Sequence, residues 1–138
     1  MTKSHAYSGS PYELEYGFSR AIRVGNRIEV AGTAPIPPSG RQVADSAYEQ
    51  MRRCGEIMLE AIAELGGSAG DVTRTRMFII NTDDADDIGR AHQELFGEAM
   101  PVATMVVVAS LLDPSWKVEA EAVAIVGTTS QLPPNAEN

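Results

Sequence analysis

Alternating apolar and polar positions predict a β-hairpin in the first third of the chain. Residues 21–24 and 27–30 alternate in this way and are joined by the turn-forming pair Gly25-Asn26, a pattern typical of two antiparallel strands and a tight turn. The stretch after the second strand is rich in residues that interrupt regular structure: Pro35, Pro37, Pro38 and Gly40. We therefore predict two strands followed by an irregular loop.

Two later segments have the apolar spacing of amphipathic helices. The first begins with the capping-box pair Ser46 and Glu49 and stops at Gly66-Gly67. Its apolar residues recur at helical spacing: Tyr48, Met51, Met58, Ile62 and Leu65. The second follows the sequence Thr82-Asp83-Asp84, which we interpret as its cap. Its apolar face consists of Ile88, Ala91, Leu95 and Phe96.

Three further segments have the composition of β-strands and complete the predicted fold. They are residues 74–80, 104–109 and 117–125. The resulting order ββ-α-β-α-ββ indicates an α/β (α+β) fold with a single mixed β-sheet and two helices packed on one face. Because residues 105–108 are apolar on both sides of their strand, the face that the helices leave uncovered needs a partner. Self-association is the usual way to supply one.

The length of 138 residues fits a single domain. We assign it to residues 1–127, with a loose N-terminal segment over residues 1–15 and a disordered tail over residues 128–138. No apolar run approaches the roughly 18 residues that cross a bilayer. Residues 1–10 also lack the basic start and apolar core of a secretory signal. We therefore expect a cytoplasmic protein without membrane association.

Charge and cysteine content narrow the classes of function. With 19 acidic and 11 basic residues the net charge is −8, a balance that repels phosphate backbones, so we expect no nucleic-acid partner. Cys54 is the single cysteine, which excludes an internal disulfide and disfavours a zinc site. The acidic cluster at 83–87 suits the positive end of a helix dipole better than a metal ion. We predict no metal site.

Five short segments occur in the order that is typical of the Rid family, the reactive intermediate deaminases also called YjgF or L-PSP. They are Tyr16-Gly17-Phe18-Ser19-Arg20-Ala21, Val24-Gly25-Asn26, Val30-Ala31-Gly32-Thr33-Ala34-Pro35, Pro101-Val102-Ala103-Thr104 and Val118-Glu119-Ala120-Glu121-Ala122. An ordered set of matches is far more specific than one motif, and the chain is identified as a member of this family. The resemblance implies a chorismate-mutase-like homotrimer with a small-molecule cleft between neighbouring subunits and no bound cofactor.

The resemblance also implies a chemistry for these clefts. Deaminase members hydrolyse enamines and imines to a keto acid and ammonia, and an arginine in a Pro-x-Arg-Thr segment binds the substrate carboxylate. Ala103 occupies the position of that arginine in this chain, so we expect amino-acid imines to be poor substrates. By resemblance, the ligand-binding residues of the cleft are Phe18, Ser19, Gly32, Thr33, Ala103 and Thr104.

Glu119 and His92 are the candidate catalytic residues. Glu119 alternates with Val118 and Ala120, so it points away from them, and the resemblance directs it to the cleft as an acceptor or general acid-base group. The alternative is a solvated strand glutamate. His92 is able to move a proton at neutral pH, but a lone helical histidine also occurs as a structural group. The sequence leaves open whether any of four other arginines faces the cleft and replaces the missing one, or whether all are surface residues: Arg20, Arg23, Arg74 and Arg76.

These residues support three functional hypotheses. The first is a hydrolase or deaminase that acts on a small imine, enamine or related reactive metabolite other than the usual amino-acid imines. The second is a non-catalytic trimer that binds a small metabolite or a partner protein, an interpretation that Ala103 favours. The third, an endoribonuclease, ranks last because the acidic chain has neither paired histidines nor a basic stripe.

Overall fold

The computed structural model describes residues 1–131, and its strands form one mixed β-sheet. In chain order the strands are β1 (Lys3–Ala6), β2 (Ala21–Val24), β3 (Arg27–Thr33), β4 (Val72–Ile79), β5 (Val102–Val107) and β6 (Val118–Ile125). They lie side by side in the order β1-β2-β3-β6-β4-β5. The pair β4-β5 is parallel, and the other neighbouring pairs are antiparallel. The predicted single mixed sheet is confirmed.

The described residues contain the α-helices α1 (Pro11–Tyr16), α2 (Ala47–Glu64) and α3 (Ala85–Phe96). Ser46 starts α2 as predicted, because its hydroxyl accepts a hydrogen bond from the backbone N–H of Glu49 at 3.1 Å. The start of α3 differs from the prediction. Residues 82–84 form a 3-10 turn, and the side chain of Asn81 caps that turn by accepting from the Asp83 N–H at 2.9 Å. Within residues 1–131, none of the helices has the length and apolar character needed to span a bilayer.

The helices α2 and α3 pack on one face of the sheet and enclose the core. Every second residue of β6 is buried on that face: Val118, Ala120, Ala122 and Ala124. The helices contribute Met51, Met58, Ile62, Ile88 and Phe96 to the same core. Because side chains alternate along a strand, Glu119 and Glu121 point to the opposite side of the sheet. Two helices on one face are therefore confirmed.

The N-terminal segment corrects one prediction. We expected residues 1–15 to be loose, but they contain β1 and most of α1. Strand β1 pairs with β2, and Ser10 caps α1 by accepting from the Tyr12 N–H. Gly17 ends the helix in the left-handed region at a φ of 78°. Backbone pairing, helix caps and the buried carboxylate of Glu13 hold the segment in place. These contacts leave no periodic apolar pattern in the sequence, so the prediction missed them.

The prediction for the C-terminus concerns residues that the structure covers only in part. The expected disordered tail comprises residues 128–138, and positions 132–138 lie outside the described residues. Strand β6 ends at Ile125, and the chain makes a turn at residues 126–127.

Candidate functional site

A cavity of about 470 Å³ opens beside the C-terminal end of β3. Its walls come from the N-terminal segment, from the loop that follows β3, from one side of α2 and from Glu119 on β6. Aromatic side chains form much of the lining: Tyr7, Tyr12, Tyr16, Phe18 and Trp116. A concave, largely apolar site with a few polar groups is the usual form of a small-molecule site.

Glu119 is the half-buried carboxylate of this cavity. Burial raises the pKa of its carboxyl group, the neighbouring Arg20 opposes this rise, and the charge of Glu121 adds to it. Residues 1–131 provide no hydrogen bond to the Glu119 carboxylate and leave no buried side-chain oxygen or nitrogen unpaired. The carboxylate is therefore accessible from the cavity and free to bind a ligand or water.

Gly32 makes room for the Glu119 carboxylate at the end of β3. A Cβ atom placed on Gly32 would lie 2.5 Å from Oε2 of Glu119, closer than real Cβ contacts allow. The register of β3 against β6 also shifts between Val30 and Thr33, so the β3 backbone is irregular at this point. The absence of a side chain at position 32 therefore lets the carboxylate lie against the backbone.

Arg20 is the buried cation beside Glu119. Its Nε donates to Glu13 Oε2 at 3.0 Å, and its Nη1 donates to the Gly32 carbonyl at 2.6 Å and to Thr33 Oγ1 at 3.1 Å. The guanidinium carbon lies 5.4 Å from the centre of the Phe18 ring. Two of its three nitrogens are therefore engaged by the protein. The third nitrogen, Nη2, has no hydrogen-bond partner among residues 1–131 and is solvent-accessible.

Glu13 connects the N-terminal segment to Arg20. Its side chain is 1% exposed, and its carboxylate accepts from the Ser8 N–H at 2.9 Å, from the Ser8 hydroxyl and from Arg20 Nε. Burial alone would raise the pKa of Glu13, but the hydrogen bonds from Ser8 and Arg20 outweigh it and hold that pKa below its ordinary value. The ionised pair fixes α1, and with it Tyr12 and Tyr16, as one wall of the cavity.

Some of the predicted ligand-binding residues meet at this cavity, and others do not. Phe18, Gly32 and Thr33 lie there together with Glu119. Three others lie outside its lining: Ser19, Ala103 and Thr104.

Each of these three has a different environment. The Ser19 hydroxyl lies 2.7 Å from Nδ1 of His5. Ala103 and Thr104 are exposed on β5, which is an edge strand of the sheet. The structure of one chain therefore does not bring the Ala103 position to Glu119.

His92 lies away from Glu119, on the side of the sheet that the helices cover. Its Nε2 is 2.7 Å from the Thr75 hydroxyl, and its ring contacts Phe96 with ring centres 5.1 Å apart. Thr75 is fully buried and pairs with Ala122, which faces the helices. Burial lowers the pKa of His92, so the neutral ring is favoured. Within one chain His92 and Glu119 cannot act on the same ligand.

The four arginines considered as replacements have different positions. Arg20 alone among them lines the cavity. Arg23 donates to the carbonyls of Gly25 and Leu65. Arg76 pairs with Glu121 at 3.1 Å, and it borders a shallow depression together with Arg74. Arg20 is therefore the member of this set that a cavity ligand would meet.

Cys54 and the acidic residues do not form a further site in the part of the chain that the structure describes. Cys54 is fully buried in α2. Burial raises the pKa of its thiol far above the ordinary value, so the thiolate needed for attack or metal binding is not formed. No three His, Cys, Asp or Glu side chains converge as metal ligands within residues 1–131.

Sequence reasoning missed the N-terminal contribution to the site. Ser10 followed by Pro11, with Gly17 six residues later, has the composition of a capped short helix and could have indicated α1. The ion pair between Glu13 and Arg20 had no comparable signal, because it depends on how the segment folds back along β2.

Comparisons with known proteins agree with the fold. A family model described as Endoribonuclease L-PSP matches residues 11–126. An uncharacterised protein of Streptomyces coelicolor is 39% identical over 120 residues, which cover 87% of this chain and 90% of the relative. A 2-iminobutanoate/2-iminopropanoate deaminase of Salmonella typhimurium is 24% identical over 128 residues, which cover 91% and 98% of the two chains.

A solved structure is similar over nearly the whole chain. The crystal structure of a Mycobacterium tuberculosis protein, a member of the YjgF/YER057c/UK114 family, has a TM-score of 0.83 and 33% sequence identity. The similarity covers 91% of this chain and 100% of that one. The matched range 11–126 contains all the site residues predicted from the sequence, and their roles stay predictions.

Proposed function

Because the chain belongs to the Endoribonuclease L-PSP family, also called the Rid or YjgF family, we propose that it hydrolyses the C–N bond of a small reactive metabolite. The substrate is an imine, an enamine or a related compound other than the usual amino-acid imines. The observation that carries the proposal is Glu119, a half-buried carboxylate without a protein partner among residues 1–131, in the wall of an aromatic cavity. Burial raises the pKa of this carboxyl group, which favours its use as a group that exchanges protons with a substrate.

In this proposal Glu119 first makes the substrate electrophilic. The protonated carboxyl group donates to the nitrogen of an imine, or to the β-carbon of an enamine, and either step gives an iminium ion. The iminium ion and the carboxylate left behind form an ion pair. Burial in the cavity strengthens this pair because little water screens it.

The same carboxylate then activates water and releases the product. It removes a proton from water while the water oxygen bonds to the iminium carbon, which gives a neutral carbinolamine. Glu119 returns that proton to the nitrogen, the C–N bond breaks, and ammonia leaves as the oxygen lone pair forms the carbonyl. The hydroxyl proton passes back to the carboxylate. One water is consumed, and one carbonyl compound and one ammonia are produced.

Release of ammonia from a panel of freshly generated imines tests the proposal. The panel contains imines with and without a carboxylate group, and the rate with protein is compared with the spontaneous rate. Acceleration of at least one member by about 10²-fold or more is expected from general acid-base catalysis. If every member reacts at the spontaneous rate, the non-catalytic binding trimer becomes the better hypothesis.

Substrates of the 2-aminoacrylate type are expected to react at a negligible rate. The resemblance assigns carboxylate binding to an arginine at the position of Ala103, and an alanine offers no hydrogen-bond donor. The measurement is ammonia release from an imino acid generated in the assay. A gain of activity in Ala103→Arg would support this explanation, and a high rate in the unaltered protein would contradict it.

A homotrimer with ligand clefts between subunits is part of the proposal. The sheet face opposite the helices is uncovered, and on the edge strand β5 Val102 and Val106 are 57% and 43% exposed. Exposed apolar residues on an open sheet are normally covered by a partner, and the family resemblance implies three copies. In such a trimer Ala103 and Thr104 would be available to the cavity of a neighbouring subunit.

Light scattering at micromolar concentration is expected to give three times the mass of one chain. The interface should be largely apolar, so high salt should not dissociate it. A monomer mass under these conditions would contradict the trimer.

The other functions have weaker support. Ala103 is the observation that favours a non-catalytic metabolite-binding or protein-interaction trimer, and the imine panel separates that function from catalysis. Nucleic-acid cleavage lacks support, because the net charge is −8 and the half-buried His92 is engaged by the Thr75 hydroxyl. A cytoplasmic location is part of the proposal on the sequence argument alone.

A further inference from the structure

We infer that the cavity selects ligands that carry a cationic or readily protonated nitrogen and no carboxylate, such as an iminium ion or its amine analogue. This inference rests on the proposed function, because it names the substrate class of the same site. It comes from the way in which Arg20 is used and from the charges and rings that surround Glu119.

Arg20 is unsuited to bind a ligand carboxylate in place of the arginine that Ala103 replaces. A bidentate clamp needs two parallel N–H groups of one guanidinium edge. Glu13 occupies Nε, while the Gly32 carbonyl and Thr33 occupy Nη1, so neither edge retains two free donors. The negative charge of Glu13 also lies 3.0 Å from Arg20 and offsets the positive charge that an anion would seek.

The remaining charges at the cavity oppose an anion as well. Two guanidinium groups and three carboxylates line it: Arg20, Arg53, Glu60, Glu64 and Glu119. Arg53 is also engaged, because its Nε donates to the Ile36 carbonyl at 2.6 Å. Glu13 adds a further carboxylate next to Arg20. The local charge is therefore negative, and a ligand carboxylate entering the cavity is repelled.

Aromatic rings favour the opposite sign of ligand. Five aromatic side chains line the cavity, and two of them, Tyr12 and Tyr16, stack with ring centres 5.9 Å apart. The faces of such rings attract cations, and more strongly where water is excluded. An apolar amine or iminium ion thus gains from the rings and from the negative charge together.

Glu119 supplies the specific contact. It is the half-buried carboxylate of the lining, it has no protein donor among residues 1–131, and it lies against the backbone at Gly32, whereas Glu60 and Glu64 are exposed. An N–H of a cationic ligand can donate to it directly, and a charge-assisted hydrogen bond of this kind is about twice as strong as a neutral one. The ion pair expected in the reaction is therefore the arrangement that the cavity binds best.

Calorimetric titration of the unaltered protein with three probes tests this inference. The probes are benzylamine, benzyl alcohol and benzoate, which share one ring and differ in charge at neutral pH. Benzylamine is expected to bind about tenfold or more tightly than benzoate, because its ammonium group forms an ion-paired hydrogen bond with Glu119, whereas benzoate carries the same sign of charge and has no donor. Benzyl alcohol is expected to lie between them.

Two variants separate the specific contact from the general acidity of the protein. Glu119→Gln is expected to weaken benzylamine binding about tenfold and to leave benzyl alcohol binding unchanged. Glu29→Gln removes the same charge from the neighbouring strand β3, where the exposed side chain pairs with Arg27 and lies outside the cavity lining. It is expected to leave the binding of all three probes unchanged.

The inference is overturned if benzoate binds as tightly as benzylamine, if both variants weaken benzylamine equally, or if none of the probes binds. Failure of this inference and failure of the proposed catalytic function give different results. A protein that shows the expected probe pattern but accelerates no imine loses the catalytic proposal and keeps the inference. A protein that binds benzoate best and hydrolyses carboxylate-bearing imines keeps the catalytic proposal and loses the inference.

Discussion

Glu119→Gln is expected to lower the rate of imine hydrolysis by about 10²-fold or more, because the amide keeps the shape of the side chain but cannot carry the proton. Folding should remain intact, since residues 1–131 provide no hydrogen bond that the carboxylate would lose. The measurement is ammonia release from the best substrate of the imine panel. Light scattering on the same sample checks that assembly is unchanged.

Glu29→Gln is the matched control for this variant. Glu29 lies on β3, pairs with Arg27 at 3.3 Å in an exposed position and is not part of the cavity lining. Its substitution makes the same change in net charge and should leave turnover near the wild-type rate. If Glu119→Gln also turned over at the wild-type rate, Glu119 would be an acceptor in the cavity wall and not a proton carrier.

Glu13→Ala is expected to reduce the free energy of unfolding by about 3–5 kcal/mol, because it leaves Arg20 as a buried charge without its partner. The ion pair joins side chains that are 1% and 7% exposed. Loss of the Ser8 hydrogen bonds to the same carboxylate adds to the effect. Urea unfolding at a fixed protein concentration measures it, since the stability of an oligomer depends on concentration.

Glu15→Ala is the control, because Glu15 lies in the same short helix with its side chain exposed. It should change the unfolding free energy by no more than about 0.5 kcal/mol. An equal loss of stability in both variants would mean that helix composition, and not the buried pair, accounts for the effect.

The contribution of Glu13 also depends on pH in a defined direction. Its pKa in the folded protein lies below the ordinary value because the hydrogen bonds from Ser8 and Arg20 outweigh its burial. The folded state therefore binds this proton less readily than the unfolded chain. Glu13 stabilises the fold at neutral pH, and the contribution is lost as the pH falls below the ordinary carboxylate range. The stability difference between wild type and Glu13→Ala should therefore shrink from about pH 7 to about pH 3.

The parts of the fold that were predicted from the sequence are those with a regular apolar pattern. The hairpin around Gly25-Asn26, the helix after Ser46 and the strand of Glu119 each repeat an apolar residue at the spacing of their structure, and each is present. The strand predicted over residues 104–109 begins two residues earlier, at Val102. The position of Pro101 correctly predicted an interruption of regular structure directly before this strand.

The parts that were missed depend on contacts between distant polar groups. Residues 3–16 contain a strand and a helix that are held by backbone pairing with β2 and by the Glu13 carboxylate, which pairs with Arg20. Neither partner differs in the sequence from a surface residue. Short family segments allowed Glu119, Gly32 and Thr33 to be assigned to a site. The hydrogen bonds of Arg20 and the cavity wall formed by Tyr12 and Tyr16 could not be predicted, because they depend on tertiary contacts. His92 illustrates the converse, because its position in a helix gave no indication of which side of the sheet it faces.

The N-terminal segment has a practical consequence for the production of this protein. Strand β1 begins at Lys3, and Tyr7 and Tyr12 belong to the wall of the cavity. A purification tag fused to Met1 would therefore begin two residues from a paired strand, and removal of the first seventeen residues would take away Glu13 together with three of the five aromatic rings. Tags are better placed after Asn138, so that binding constants and reaction rates refer to the intact site.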